Sequence, residues 1–129
     1  MERWSHILVV DRNLYIRERV GQILQTRTRR ITGVADRRAM YELLRIDDSV
    51  DLVIMDGSRD RSSSDALHLK RLGIPLVIMS GEPDMTLFAV ENGLQLVAKP
   101  FKPSQLRGAT QWAVIPQQKS RARRDAHHR

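Results

Sequence analysis

The sequence contains no cysteine, which excludes a disulfide framework, a thiol nucleophile and a thiolate metal site, and agrees with a reducing compartment. Long apolar runs are missing too: stretches such as Ile7 to Val10 and Leu52 to Met55 stop after four or five residues. A membrane-spanning helix needs ~20 apolar residues. The N-terminus has no basic stretch leading into an apolar signal core, so the expected location is cytoplasmic. There is no glycine-rich phosphate loop, no G-x-S-x-G and no H-E-x-x-H, which argues against a dehydrogenase, a serine hydrolase or a zinc protease. With 129 residues there is room for one compact domain and little else.

Acidic residues are in deficit, 15 against 22 lysines and arginines, for a net charge of +7. Residues 117–129 account for +4 of that excess through Lys119, Arg121, Arg123, Arg124 and Arg129 against Asp125, leaving +3 for residues 1–116. The segment follows Pro116 and has almost no apolar content, so it reads as a basic flexible tail behind a folded domain at 1–116. It lacks interleaved aromatics, so nucleic acid is not an expected partner except through the tail itself.

What is present is an alternation of short apolar runs with helical periodicity, the pattern of βαβ units around a parallel sheet. Strands are predicted at Ile7 to Val10, Ile31 to Val34, Leu52 to Met55, Leu76 to Met79 and Gln95 to Ala98. Several are apolar without alternation, as strands covered on both faces should be. Between them, Ile16, Val20, Ile23 and Leu24 form one helix stripe, and Met40, Leu43 and Leu44 another. A third helix is expected over Ser63 to Leu72, stopped by Gly73 and Pro75 after a polar loop at 57–64. A fourth is expected with Asp84 as N-cap and Leu87, Val90 and Leu94 facing inward. A fifth follows Pro103 and runs through Leu106 and Ala109 to Trp112, which folds its end onto the sheet. His6 and His68 have no convergent partner in the sequence, and His127 and His128 lack a third metal ligand nearby.

Four apolar runs end on a polar residue: ILVV on Asp11, LVIM on Asp56, LVIM on Ser80 and LVA on Lys99. In a parallel sheet these ends share one edge, and the crevice beyond that edge is where open α/β sheets bind ligands. Two carboxylates, a hydroxyl and an ammonium are therefore expected in one pocket. A carboxylate can attack phosphorus, an ammonium can pair with phosphoryl oxygens, a hydroxyl can donate to another, and acids can hold magnesium. Asp56, at the end of the central and most hydrophobic strand, is the better nucleophile.

The segments ILVVDRN (7–13), DLVIMDG (51–57), IPLVIMSGE (74–82) and VAKPF (97–101) together resemble the signature segments of CheY-like response-regulator receiver domains, in order and in spacing. The resemblance implies a flavodoxin-like (βα)5 doubly wound parallel sheet of order 2-1-3-4-5. It implies Asp56 as phospho-acceptor, Ser80 as switch hydroxyl, Lys99 as the phosphate-contacting lysine, a cis Lys99–Pro100 bond, and Mg2+ held by Asp11, Asp56 and the Gly57 backbone carbonyl. It further implies a single-domain bacterial response regulator rather than an enzyme. Such a protein takes a phosphoryl group from a histidine kinase or phosphotransfer protein and signals through the face of the fourth helix, fifth strand and fifth helix, which can also form a homodimer. Three departures qualify it. Arg12 stands where a second acid would ligate magnesium, and either substitutes for the metal or blocks it. Leu96 stands where the switch aromatic would be. The stretch from Asp56 to Ser80 is short, as in a short-loop subgroup. The alternative these departures leave is a pseudo-receiver, a phosphorylation-independent interaction module held in one state by Arg12.

Overall fold

The computed structural model describes residues 3–57 and 62–113. The basic tail at 117–129, with His127 and His128, lies outside the described residues, as do residues 58–61 of the expected polar loop. Five strands and five helices alternate: β1 (His6–Val10), α1 (Leu14–Leu24), β2 (Arg30–Val34), α2 (Arg37–Ile46), β3 (Leu52–Asp56), α3 (Ser62–Arg71), β4 (Leu76–Ser80), α4 (Pro83–Glu91), β5 (Gln95–Ala98) and α5 (Pro103–Gln111). The strands form one parallel sheet in the order β2-β1-β3-β4-β5, as the resemblance implies. Among the described residues, no helix is long and apolar enough to cross a membrane.

The unbroken apolar strands work because alternate side chains leave opposite faces of the pleat. Ile7, Val9, Leu52, Ile54, Val77, Met79 and Val97 join Val20, Ile23 and Leu24 of α1 and Leu106 and Ala109 of α5 in one core layer. Leu8, Val10, Val53, Met55, Leu76 and Ile78 join Met40 and Leu44 of α2, Ala66 and Leu69 of α3, and Met85 of α4 in the other. Helices on both faces bury the three inner strands, while β2 and β5 at the edges stay partly exposed, and Asp11, Asp56, Ser80 and Lys99 stand at the carboxyl ends.

Three local expectations are corrected. The N-cap of α4 is Glu82, with Pro83 in the first turn and Asp84 just inside the helix. Its inward face is Met85 and Ala89, with Phe88 partly buried, whereas Leu87 and Val90 are 61% and 74% exposed. Apolar residues surround this helix almost completely, so periodicity alone could not choose its buried stripe; Leu94, beyond the helix end, does pack on the second layer. At the other end of the chain, α5 stops at Gln111 and Trp112 is exposed. Trp4 fills the place expected for it, buried against α5 with Nε1 donating to the Thr110 carbonyl at 2.8 Å. The serine run also begins α3 at Ser62 instead of remaining in the loop.

His6 is a further correction. Its ring is buried at the start of β1, with Nδ1 2.7 Å from Ser49 Oγ and Nε2 2.8 Å from Thr32 Oγ1. Its backbone N–H and that of Ser5 both donate to the Asp51 carboxylate. The imidazole thus ties β1, β2 and the approach to β3 together. Burial, reinforced by the Arg30 charge, holds its pKa below the ordinary 6.5 and outweighs the opposing pull of Asp47 and Asp51. Because the folded value is the lower one, the unfolded chain binds the proton first, and stability is lost as pH falls below 6.5. Urea midpoints should drop between pH 7.5 and 5.5, at a rate of at most about 1.4 kcal/mol per pH unit from this group. A His6→Gln variant should lose less over the same interval; equal losses would show that His6 is not the group titrating.

Candidate functional site

At the carboxyl edge of the sheet the three charged strand ends meet. Asp11 follows β1 directly, is buried, and is held by its N–H to the Val34 carbonyl at 3.1 Å. Asp56 closes β3 in register with Met79 of β4. Lys99 follows β5, its N–H donating to the Ser80 carbonyl at 3.0 Å, and the Lys99–Pro100 bond is cis. The Lys99 ammonium donates to Asp11 Oδ2 at 2.7 Å and to Asp56 Oδ1 at 3.1 Å. These side chains are only 23%, 4% and 14% exposed respectively. One ammonium therefore bridges two shielded carboxylates contributed by strands more than forty residues apart.

Ser80 ends β4, buried, with its Oγ accepting the Glu82 N–H at 3.0 Å. An accepting hydroxyl keeps its own proton to donate. The side chain backs onto Gly57, where an added Cβ would stand 3.3 Å from Ser80 Cβ and 2.5 Å from Ile78 Cγ2. The latter is closer than real Cβ atoms approach one another, and Ile78 is fully buried and stiff at χ1. Gly57→Ala should therefore destabilise the fold by about 1–3 kcal/mol. Gly21→Ala, in α1 with open space around the Cβ position, should instead stabilise it by roughly 0.5–1 kcal/mol. Equal urea midpoints for the two variants would contradict this account of Gly57.

A second shell of contacts holds the acids in place. Asp11 Oδ1 accepts the Asn13 N–H at 2.9 Å, and Asn13 in turn caps α1 by accepting the Tyr15 N–H at 2.9 Å. Arg17, one turn along α1, donates to the Asp11 carbonyl at 2.7 Å and the Arg12 carbonyl at 3.3 Å. Gly33 of β2 leaves room for its stem, since a Cβ there would meet Arg17 Cδ at 3.3 Å. On the other side, the Ser62 hydroxyl donates to the Asp56 carbonyl at 3.2 Å and pins the start of α3 to the end of β3.

Beside Asp56 lies a cavity of about 350 Å³, lined by Asp11, Arg12, Arg37, Met40, Asp56 and Asp65 among others. Its wall includes Arg37 and the buried Asp65, which accepts from Arg37 Nη2 and from the half-buried Tyr41 hydroxyl, both at 2.8 Å, and so fastens α2 to α3. Burial alone would raise the Asp65 pKa, but the bonds from Arg37 and Tyr41 prevail and hold its carboxyl below the usual range. Burial, with the bond to Asp65, pushes the Tyr41 hydroxyl well above its ordinary value. His68 rests edge-on against the Tyr41 ring at 5.6 Å, a partner the sequence did not reveal.

The expected convergence is thus found for Asp11, Asp56 and Lys99, with Ser80 placed behind Gly57 at the flank; neither Ser80 nor Lys99 lines the cavity. Arg12 lines it, yet its guanidinium is exposed and forms no ion pair among the described residues; both acids are taken by Lys99 instead. Leu96 packs partly buried on the second core layer. Asn13 carried a sequence signal, a capping residue directly before a helix, whereas Arg17 and the Arg37–Tyr41–Asp65 cluster carried none.

The donor set can be compared with what magnesium demands, a near-octahedral shell of oxygens at short range. Both Asp11 oxygens already accept hydrogen bonds, Asp56 shares the ammonium, and the neighbouring side chain is a guanidinium. No group of three or more carboxylate or imidazole side chains suited to a metal exists among the described residues. Asp11, Asp56 and the Gly57 carbonyl supply the oxygens that would hold magnesium here, and Lys99 already donates to both acids.

No protein-family model matches the chain. The regulatory protein VirG of Agrobacterium fabrum is 28% identical over 109 residues, an alignment covering 78% of this chain and 42% of VirG, so the chain spans about two fifths of that curated relative. The signal receiver domain of an HD domain-containing protein from Pseudomonas fluorescens superposes with a TM-score of 0.69 at 22% identity, covering all of this chain and 96% of that one. The chemotaxis response regulator CheY4 of Vibrio cholerae superposes at 0.67 and 20% identity over 84% of this chain and 97% of CheY4. Strand order, helix placement and these likenesses agree: the chain has the CheY-like fold of response-regulator receiver domains.

Proposed function

We propose that the chain is the phospho-acceptor of a two-component signalling system. Asp56 takes a phosphoryl group from the phosphohistidine of a histidine kinase or phosphotransfer protein, Lys99 pairs with the transferred group, and Ser80 donates its hydroxyl to it. The observation carrying this reading is the Lys99 ammonium hydrogen-bonded to both Asp11 and Asp56 at the carboxyl edge of the sheet. Phosphoryl transfer asks the protein mainly for positioning and charge neutralisation, and a fixed ammonium beside a fixed carboxylate supplies both. Such a site makes the chain a switch more than an enzyme, with slow self-phosphorylation and hydrolysis as side activities.

The output is a protein contact on the face of α4, β5 and α5. Its support is the exposed Leu87 and Val90 on α4, in a helix whose first turn follows Ser80 by three residues. The reading is tested by incubating the protein with acetyl phosphate and weighing it intact. A gain of one phosphoryl mass that hydroxylamine removes, as an acyl phosphate requires, is the expected result. No gain, from acetyl phosphate or from a phosphohistidine-bearing donor protein, would leave a phosphorylation-independent interaction module as the better description.

A further inference from the structure

The charges around Asp56 do not add up as they would for a carboxylate cluster awaiting a divalent cation. Among the described residues, two carboxylates face one ammonium at the strand ends, and the same cavity lining carries Arg12, Asp36 and the paired Arg37 and Asp65, so Arg12 is the cation of that lining with no ion pair among the described residues. The guanidinium is exposed and engaged by no acid among the described residues, so a new anion beside Asp56 need displace no partner to reach it. Its backbone is fixed, because Arg17 holds the carbonyls of residues 11 and 12 and Asp11 takes the Asn13 N–H.

We propose that Arg12 and Lys99 together neutralise the phosphoryl group during its transfer to Asp56, so that this site accepts phosphoryl groups from acyl phosphates without a divalent cation. The inference rests on the reading of Asp56 as phospho-acceptor. In the step itself, a carboxylate oxygen of Asp56 forms a bond to phosphorus while the bond from phosphorus to the donor's carboxylate oxygen breaks. The donor leaves as a carboxylate with that electron pair, and no proton is transferred. The transferred group brings two negative charges to a position whose Asp56 oxygen has become neutral. A planar guanidinium meets two phosphoryl oxygens at once, the Lys99 ammonium spans Asp11 and a phosphoryl oxygen, and with Asp11 counted the remaining imbalance is one negative charge. The cavity of about 350 Å³ on the Arg12 side gives the donor room to approach.

The test uses the full chain, acetyl phosphate and intact mass, in chelator and in magnesium. The wild type should be phosphorylated in chelator at a rate that magnesium changes less than about twofold, while Arg12→Ala should fall by about 100-fold in chelator, the scale of losing one charge-stabilising donor. Arg12→Lys should recover part of the rate, and Arg12→Asp should make the reaction magnesium-dependent. Since Arg12 is exposed, unchanged circular dichroism is expected of all three. Wild-type labelling that requires magnesium, or an Arg12→Ala rate equal to wild type in chelator, overturns the proposal while leaving Asp56 as acceptor. Absence of labelling in both conditions with acetyl phosphate and phosphoramidate overturns the proposal, and absence also with a phosphohistidine-bearing donor protein overturns Asp56 as acceptor with it.

Discussion

If Asp56 is the acceptor proposed above, Asp56→Asn is expected to abolish phosphoryl acceptance while leaving the fold in place. Asparagine keeps the shape of the side chain and an amide oxygen for the Lys99 ammonium, so the 3.1 Å bond at Oδ1 has a replacement acceptor. What disappears is the anionic nucleophile, for which a neutral amide is no substitute. The substitution also removes one of two negative charges that share one ammonium, and Lys99 retains Asp11 at 2.7 Å. The expected outcome is a phosphoryl gain below detection under conditions that label the wild type, together with a stability change within about 1 kcal/mol, as for a partly exposed pair. Residual labelling at the wild-type rate would place the acceptor elsewhere; a collapsed far-ultraviolet spectrum would show that the Asp56 charge is structural.

The second large effect belongs to Lys99. Replacing it by methionine keeps the stem but removes the ammonium from two carboxylates whose side chains are 4% and 14% exposed. Uncompensated buried charge is the costly case, and removal of one partner of such a pair is worth about 3–5 kcal/mol. The partial exposure of Lys99 places the expected loss near the lower end. The same substitution should slow phosphoryl transfer by about 100-fold. Adding Asp11→Asn should restore much of the lost stability, because it removes one of the stranded charges, yet none of the lost transfer rate. A double-mutant cycle on urea midpoints measures the coupling. Additive losses at Asp11 and Lys99 would contradict the bridge.

The strands and the three charged positions were legible because both follow from local rules: apolar runs of four residues mark buried strands, and a polar residue at the end of each marks the open edge of a parallel sheet. Asp11, Asp56 and Lys99 are found together for that reason. The inward face of α4 was not legible, since Met85, Leu87, Phe88, Ala89 and Val90 surround the helix and only its docking selects Met85 and Ala89. The exchange of Trp4 for Trp112 was hidden as well, because it depends on the N-terminal segment reaching α5 across the whole chain. His6 with Ser49 and Thr32, and Asp65 with Arg37 and Tyr41, are polar clusters assembled from distant segments. No spacing in the sequence encodes them. The position of Arg12 was visible, but its freedom from Asp11 and Asp56 depends on Lys99 reaching both acids first.

The measurement that bears most directly on the central claim is the chemical location of the phosphoryl group. Borohydride reduces an aspartyl phosphate to homoserine, so treating the acetyl-phosphate-labelled protein and sequencing its peptides by mass spectrometry identifies the acceptor residue. The account predicts homoserine at position 56 and at no other aspartate. Homoserine at position 11 or elsewhere, or its absence from a protein that has gained the phosphoryl mass, would contradict it.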